Sequence, residues 1–265
     1  MKRATQLAAA VSLLLGVTAA QAADDDWQFR ASLYGYIPDI GGETNFPAGG
    51  AEIDIAAADL IDNAKLVGMA SFEAQHQRWG GFVDLIYMNI GDSVSGSTSL
   101  GAGQVSLPPG LTADASLDIK AWVITTAVNY RAIETSQSTF DVFAGARLLD
   151  AKGELDWSFN VDLSPFRGPP QHGSAEASVD KLDAIVGVKG RYEFGADGRW
   201  FVPYYVDAGA GDSDLTWQAA LGIGYAMKHG EVFAAYRHLD YDLGSDGGIA
   251  NLEFDGPALG LAYRW

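Results

Sequence analysis

The stretch Phe254-Asp255-Gly256-Pro257-Ala258-Leu259-Gly260-Leu261-Ala262-Tyr263-Arg264-Trp265 sorts its side chains into two sets by simple alternation. Leu259, Leu261, Tyr263 and Trp265 make one stripe, large and apolar; Ala258, Gly260, Ala262 and Arg264 make the other, small or charged. A period of two marks an extended strand whose faces meet different surroundings. A soluble sandwich and a membrane barrel both alternate in this way, so the choice between them rests on the remainder of the chain.

Working outward from that end, ten segments carry the same rhythm: 27–37, 64–76, 80–90, 116–130, 138–149, 180–194, 199–209, 215–228, 230–241 and 254–265. In 180–194, Leu182, Ala184, Val186, Val188, Tyr192 and Phe194 share one side, while Lys181, Asp183, Lys189, Arg191 and Glu193 share the other. At 11 to 15 residues these segments suit a bilayer crossed at a tilt of about 45°; strands of soluble domains average about 5–6 residues. Links between them alternate in length. Short ones fall at Gln77-Arg78-Trp79, 132–137, 195–198 and Lys228-His229-Gly230, and long ones at 38–63, 91–115, 150–179 and 242–253. Short turns on one side and long loops on the other are a feature of membrane barrels. No stretch after residue 22 is apolar over 18 residues, and without a spanning helix only a closed barrel satisfies every backbone polar group in lipid. The expected fold is all-β: a transmembrane antiparallel up-and-down barrel of about ten strands, with eight or twelve as the counts that one misread hairpin would give.

Residues 1–22 read as a secretory signal peptide, with Lys2 and Arg3 before an apolar run from Leu7 to Val17 and Ala20-Gln21-Ala22 as the cleavage box. The mature barrel domain is then 23–265, exported to the cell outer membrane. Losing Lys2 and Arg3 leaves 15 basic against 34 acidic side chains, a net charge of −19, which argues against nucleic acid as a partner. The chain has no cysteine, so disulfides and thiolate metal sites do not arise. At the C-terminus, Gly260, Tyr263 and Trp265 resemble the terminal signal read by the barrel-assembly machinery, which makes that machinery an expected partner alongside outer-membrane lipids and lipopolysaccharide.

The inward phase collects Arg30, Lys65, Glu73, Asp84, Arg147, Lys181, Asp183, Lys189, Arg191, Asp207, Glu231, Arg237 and Arg264. Their signs are mixed, and a ten-stranded barrel is only slightly wider than one whose side chains fill it. Buried charges must pair. The expectation is a narrow, largely plugged lumen with a charge network built on Arg30, Glu73, Asp84, Arg147, Lys189, Arg191, Arg237 and Arg264. Ala220, Gly222, Gly224 and Ala226 make room for the long side chains. Trp27, Trp79, Tyr130, Tyr192, Phe194, Trp200, Tyr225 and Trp265 fall near the short-turn ends, where an interfacial girdle belongs.

The long links are acidic: 38–63 holds Asp39, Glu43, Glu52, Asp54, Asp59 and Asp62 without a lysine or arginine, and 240–255 holds Asp240, Asp242, Asp246, Glu253 and Asp255. Hard divalent cations shared with lipopolysaccharide phosphates are one use for them; a solvated acidic rim is the other. No calcium-loop spacing, cofactor motif or metal-ligand motif is present, and no catalytic residue is assigned. His238, with Asp240 two residues on, is the one rim histidine that a surface hydrolase acting on lipid or peptide would use. That hydrolase is the alternative to a structural role in the envelope or passage of small solutes.

Several runs together resemble a group of proteobacterial outer-membrane, porin-like barrel proteins. They are Tyr34-Gly35-Tyr36-Ile37-Pro38 with Ile40-Gly41-Gly42; Asp59-Leu60-Ile61-Asp62-Asn63; Phe72-Glu73-Ala74 with Arg78-Trp79-Gly80 and Asp84-Leu85-Ile86-Tyr87-Met88; Gly145-Ala146-Arg147; Thr216-Trp217-Gln218-Ala219; Tyr236-Arg237-His238-Leu239-Asp240-Tyr241; and Gly256-Pro257-Ala258-Leu259-Gly260. The resemblance implies a barrel and no particular substrate or reaction. His238 stands where such proteins often carry tyrosine, which weakens a catalytic role for it.

Overall fold

In the computed structural model the residues described are 27–44, 52–55, 64–96, 111–163, 166–167, 171–244 and 249–265. The signal segment, Asp59, Asp62 and Asp246 lie outside them. Ten strands form the barrel: β1 (Trp27–Tyr36), β4 (Ala64–His76), β5 (Trp79–Gly96), β6 (Leu111–Glu134), β7 (Ser138–Leu163), β9 (Gln171–Phe194), β10 (Trp200–Gly211), β11 (Leu215–Ala226), β12 (Gly230–Asp242) and β13 (Ile249–Arg264). Each pairs antiparallel with its neighbour in the chain. Closure comes from β1 on β13, in register from Arg30↔Arg264 to Tyr36↔Ala258, extended by Phe29 and Trp265, whose backbones exchange bonds of 2.9 and 3.1 Å. An even count returns both ends of the cylinder's wall to the side that carries the short turns.

Three minor strands sit in the long links. β2 (Asp39–Thr44) continues the line of β1 along β13, β3 (Glu52–Ile55) folds back on β2, and β8 (Phe166–Arg167) turns back on β7. Pro38 separates β1 from β2 because it has no N–H to give the ladder. Opposite this break Gly256 lets the backbones approach: a Cβ there would lie 2.4 Å from the Ile37 carbonyl oxygen and 2.8 Å from Pro38 Cα. The tight turn between β4 and β5 puts Gln77 at φ 52°, a left-handed conformation that costs a non-glycine residue energy but closes a two-residue hairpin.

Loops are expected from 91 and 150 onward; residues 91–96, 111–115, 150–163 and 171–179 are instead strand. β6, β7 and β9 run for 24, 26 and 24 residues, against 12 each in β10 and β11. About 9–11 tilted residues cross a bilayer, so roughly half of each long strand rises past it on one side of the barrel. The physical reason lies in the outward face. It changes from apolar to charged while the period of two persists: exposed Trp122 gives way to exposed Lys120 on β6, and exposed Leu182 to exposed Asp180, Ser178 and Glu176 on β9. Polar outward residues suit a strand that has left lipid for water, and its hydrogen bonds to both neighbours continue.

Below that transition the outer surface is apolar. Leu259 is 71% exposed, Leu261 63%, Val186 64% and Leu221 62%, while their chain neighbours Ala258, Ala262 and Ile185 are buried. At the short-turn end the aromatics form a belt of ring contacts. Trp27 stacks on His76 at 4.9 Å, Trp79 meets Tyr130 at 5.1 Å, Trp200 meets Tyr225 at 5.2 Å, and Phe29 stacks on Trp265 at 5.6 Å. Phe72 and Tyr263 join through Trp265. Exposed apolar residues outside and ionised residues inside are the reverse of a water-soluble barrel. This is the architecture of an outer-membrane β-barrel of the Gram-negative type, in which lipid bathes the outer face.

Candidate functional site: the barrel interior

Every barrel strand sends at least one polar side chain inward, and these meet in layers. Nearest the short turns, the carboxylate of Glu231 on β12 accepts from Arg30 Nε at 2.9 Å and Arg191 Nη1 at 2.7 Å and forms a further ion pair with Arg264 Nη1 at 3.1 Å. Glu73 on β4 takes Arg30 Nη1 at 3.0 Å and Lys189 Nζ at 2.5 Å. Beside them Asp141 holds Arg131 at 2.9 Å, and Asn129 donates to Gln75 at 2.9 Å. Phenyl rings support the cations, with Phe201 3.9 Å beneath Arg191 and Phe82 4.3 Å from Lys189 Nζ. Gly224 is needed here, because a Cβ on it would fall 2.2 Å from the Phe201 ring.

One layer further in, Arg237 donates to Asp84 at 3.1 Å and to Tyr34 Oη at 3.0 Å, and Tyr34 donates in turn to Asp84. The other amino group of Arg237 reaches Gln218 Oε1 at 2.7 Å, and that oxygen also accepts from Arg147 at 3.4 Å. Arg147 has no exposed surface. It pairs with Asp207 and donates to Thr216 Oγ1 at 3.1 Å and Thr125 Oγ1 at 3.3 Å; Tyr205 donates to Asp207 at 2.5 Å. Arg237, Gln218 and Arg147 thus form a septum across the cylinder.

Beyond the septum the interior changes character. Tyr36, Ile40, Met69, Ile86, Met88, Val123, Leu149, Leu239, Tyr241, Leu243, Leu252 and Phe254 are buried against one another in a single apolar cluster. It occupies the end away from the short turns, and Ile40 of β2 joins it. The sequence predicts a plug of charge pairs along the whole lumen. Among the described residues, charged side chains dominate the near part, and the far part holds this cluster of buried apolar side chains. Alternation could not separate these, since Leu149 and Leu239 share the inward phase with Arg147 and Arg237.

A cavity of about 440 Å³ lies on the near side only. It is lined by Arg30, Glu73, Lys189, Arg191 and Arg264 at its mouth and by Tyr34, Asp84, Gln218 and Arg237 at its inner end. Arg147 and Asp207 are not part of its wall.

All eight residues named for the network therefore lie in these ion pairs. Asp207, Glu231 and Glu193 are the acidic partners outside that set; the inward phase had already marked the first two. Tyr34, Tyr205, Gln218, Thr125 and Thr216 carry no formal charge and gave no signal beyond their phase. Lys181, also on the inward phase, reaches backbone carbonyls of Asp212 at 2.9 Å and Leu243 at 3.4 Å. Asp183 accepts from the Ser213 backbone N–H at 2.8 Å. The side chain of Lys65 falls outside the described residues. Gly260 and Tyr263 lie at the end of β13 and Trp265 follows it, with the Gly260 backbone close to Tyr34 and Phe233.

His238 stands apart from this interior. It faces outward, tilted against Trp217 at 4.4 Å, with Nδ1 3.2 Å from Asp255 and 3.5 Å from Glu253. Asp240 shares its face, as expected, but the carboxylates that reach the imidazole come from β13. Asp39, Glu43, Asp242 and Glu253 are exposed on neighbouring strand ends. Among the described residues no group of three His, Asp or Glu side chains is placed to hold a metal ion.

No protein-family model matches this chain, and no curated protein does. Solved structures that resemble it are outer-membrane barrels. The outer membrane protease OmpT from Escherichia coli is 10% identical, with a TM-score of 0.43 over 93% of this chain and 99% of that one. Ail, the attachment invasion locus protein of Yersinia pestis, is 11% identical, with a TM-score of 0.32 over 89% and 98%. The P. putida toluene transporter TodX is 12% identical, with a TM-score of 0.33 over 92% and 90%. At such values the likeness assigns no activity.

Proposed function

We propose that this chain is an integral outer-membrane protein with a structural role in the envelope, anchoring an acidic sheet at the cell surface without conducting solutes. The short turns and both ends of the barrel wall face the periplasm. The observation that carries this reading is the double closure: the Arg237–Gln218–Arg147 septum and, beyond it, the apolar cluster that includes Leu149, Leu239, Tyr241 and Phe254. A pore lined by one sign of charge selects ions; here the inward charges neutralise one another and then give way to hydrocarbon. The charged outward ends of β2, β12 and β13 lie at the level of lipopolysaccharide headgroups, with Gly260, Tyr263 and Trp265 presented to the assembly machinery at the opposite end.

Proteoliposomes test the closure. Vesicles containing the barrel and loaded with a pentose should release it no faster than protein-free vesicles of the same lipid. Release that scales with the number of barrels per vesicle would end this reading in favour of small-solute passage.

A further inference from the structure

The cavity mouth holds more hydrogen-bond donors than its acceptors take up. Three guanidinium groups converge on Glu231, whose side chain is 1% exposed, and two of them, from Arg191 and Arg264, share one oxygen, Oε1. Arg191 has a second partner in Glu193 at 3.0 Å and Arg30 has one in Glu73 at 3.0 Å. Arg264 has only its 3.1 Å contact with the shared oxygen among the ion pairs of the described residues, and 46% of its side chain is exposed. A guanidinium offers five N–H donors. Arg191 Nε is buried without a partner, so the crowding is not relieved within the protein.

Counting the groups that touch, Arg30, Lys189, Arg191 and Arg264 meet Glu73, Glu193 and Glu231: four cations against three carboxylates. That local excess stands in a chain of net charge −17. The adjoining wall is not positive, since Arg131 there serves both Asp141 at 2.9 Å and Glu134 at 3.6 Å. The excess is therefore confined to the Arg264 side, next to about 440 Å³ of open space, within the size range of small-molecule sites.

We propose that Arg264, with Arg191 and Arg30 behind it, forms a binding site for a small oxyanion, the carboxylate or phosphate group of a periplasmic solute. Paired N–H donors of arginine match the oxygens of either group. Phe201 beneath Arg191 and Phe233 beneath Arg30 hold the guanidinium planes. The site gives the cavity at the short-turn end a use. The periplasmic source of the solute rests on the orientation proposed above; the binding itself does not.

The test uses the chain refolded in a nonionic detergent at low ionic strength, its folded state verified by heat-dependent gel migration. Inorganic phosphate and acetate are titrated separately by calorimetry. Wild-type protein should bind at least one of them saturably, and the tighter of the two identifies the preferred oxyanion. Arg264→Ala should weaken binding at least tenfold, whereas Arg199→Ala, which removes an exposed turn arginine outside the cluster, should leave it unchanged. Glu231→Gln frees three guanidinium groups from their shared carboxylate and should tighten binding. No saturable heat with either anion, or equal weakening by Arg264→Ala and Arg199→Ala, overturns the proposal. Should Glu231→Gln fail to refold, the two arginine variants decide. None of these results depends on whether the barrel conducts, so failure of the site and failure of the closed-barrel reading are separately visible.

Discussion

Replacing Arg147 by alanine is expected to lower the unfolding free energy by about 3–5 kcal/mol, the usual cost of removing one partner from a buried ion pair. The side chain has no exposed surface, and its loss leaves the Asp207 carboxylate buried with Tyr205 as its remaining donor. Thr125, Thr216 and Gln218 lose a donor at the same time. Unfolding in urea from lipid vesicles, followed by tryptophan fluorescence, measures the change. A second variant separates the pairing from the packing. Arg147→Met combined with Asp207→Leu removes both charges and keeps most of the volume, so it should recover the greater part of the loss. A single alanine variant within about 1 kcal/mol of wild type would mean that Arg147 is hydrated, and the septum would then not be closed.

A charge placed on the outer face should cost nearly as much, but only at the right depth. Val186→Arg puts a guanidinium midway along the lipid-facing part of β9, where its neighbours in register are Ala144 and Ala208. In the middle of a bilayer this is worth about 2–4 kcal/mol against folding. Asp180→Arg lies on the same face of the same strand, six residues further out, beyond the change from apolar to charged residues, and should shift stability by less than about 0.5 kcal/mol. The same vesicle unfolding assay reads both. Equal effects at the two positions would place the membrane boundary elsewhere.

Much of the wall was legible in the sequence because a barrel strand has to satisfy two solvents at once. Leu259, Leu261, Tyr263 and Trp265 alternate with Ala258, Gly260, Ala262 and Arg264, and the structure exposes the first set while burying all but the terminal arginine of the second. What alternation could not report is where lipid ends and water begins. On β7 the exposed Lys152 and Glu154 looked like loop residues, yet their strand has partners on both sides as far as Phe159. The interior was legible by charge alone. Arg30, Glu73, Lys189 and Arg264 declared themselves as residues that must pair, whereas Tyr34 and Gln218, which join the layers of the septum, carry nothing to distinguish them from surface residues. The apolar cluster escaped for the opposite reason. Leu149 and Leu239 read equally well as lipid-facing until the phase of each strand was anchored by its charged members.

The central claim is that adjacent residues on one strand look into different media, and depth-resolved quenching measures this directly. The chain has no native cysteine, so single cysteines at Ala220, Leu221, Ala234 and Ala235 can each carry a bimane reporter. Leu221 and Ala234 face outward, while Ala220 and Ala235 line the cavity. In vesicles containing doxyl-labelled lipid, the reporters at 221 and 234 should be strongly quenched and those at 220 and 235 should not, with iodide from the aqueous phase giving the reverse order. Equal quenching by lipid at all four positions, or the opposite alternation, would contradict the barrel described above.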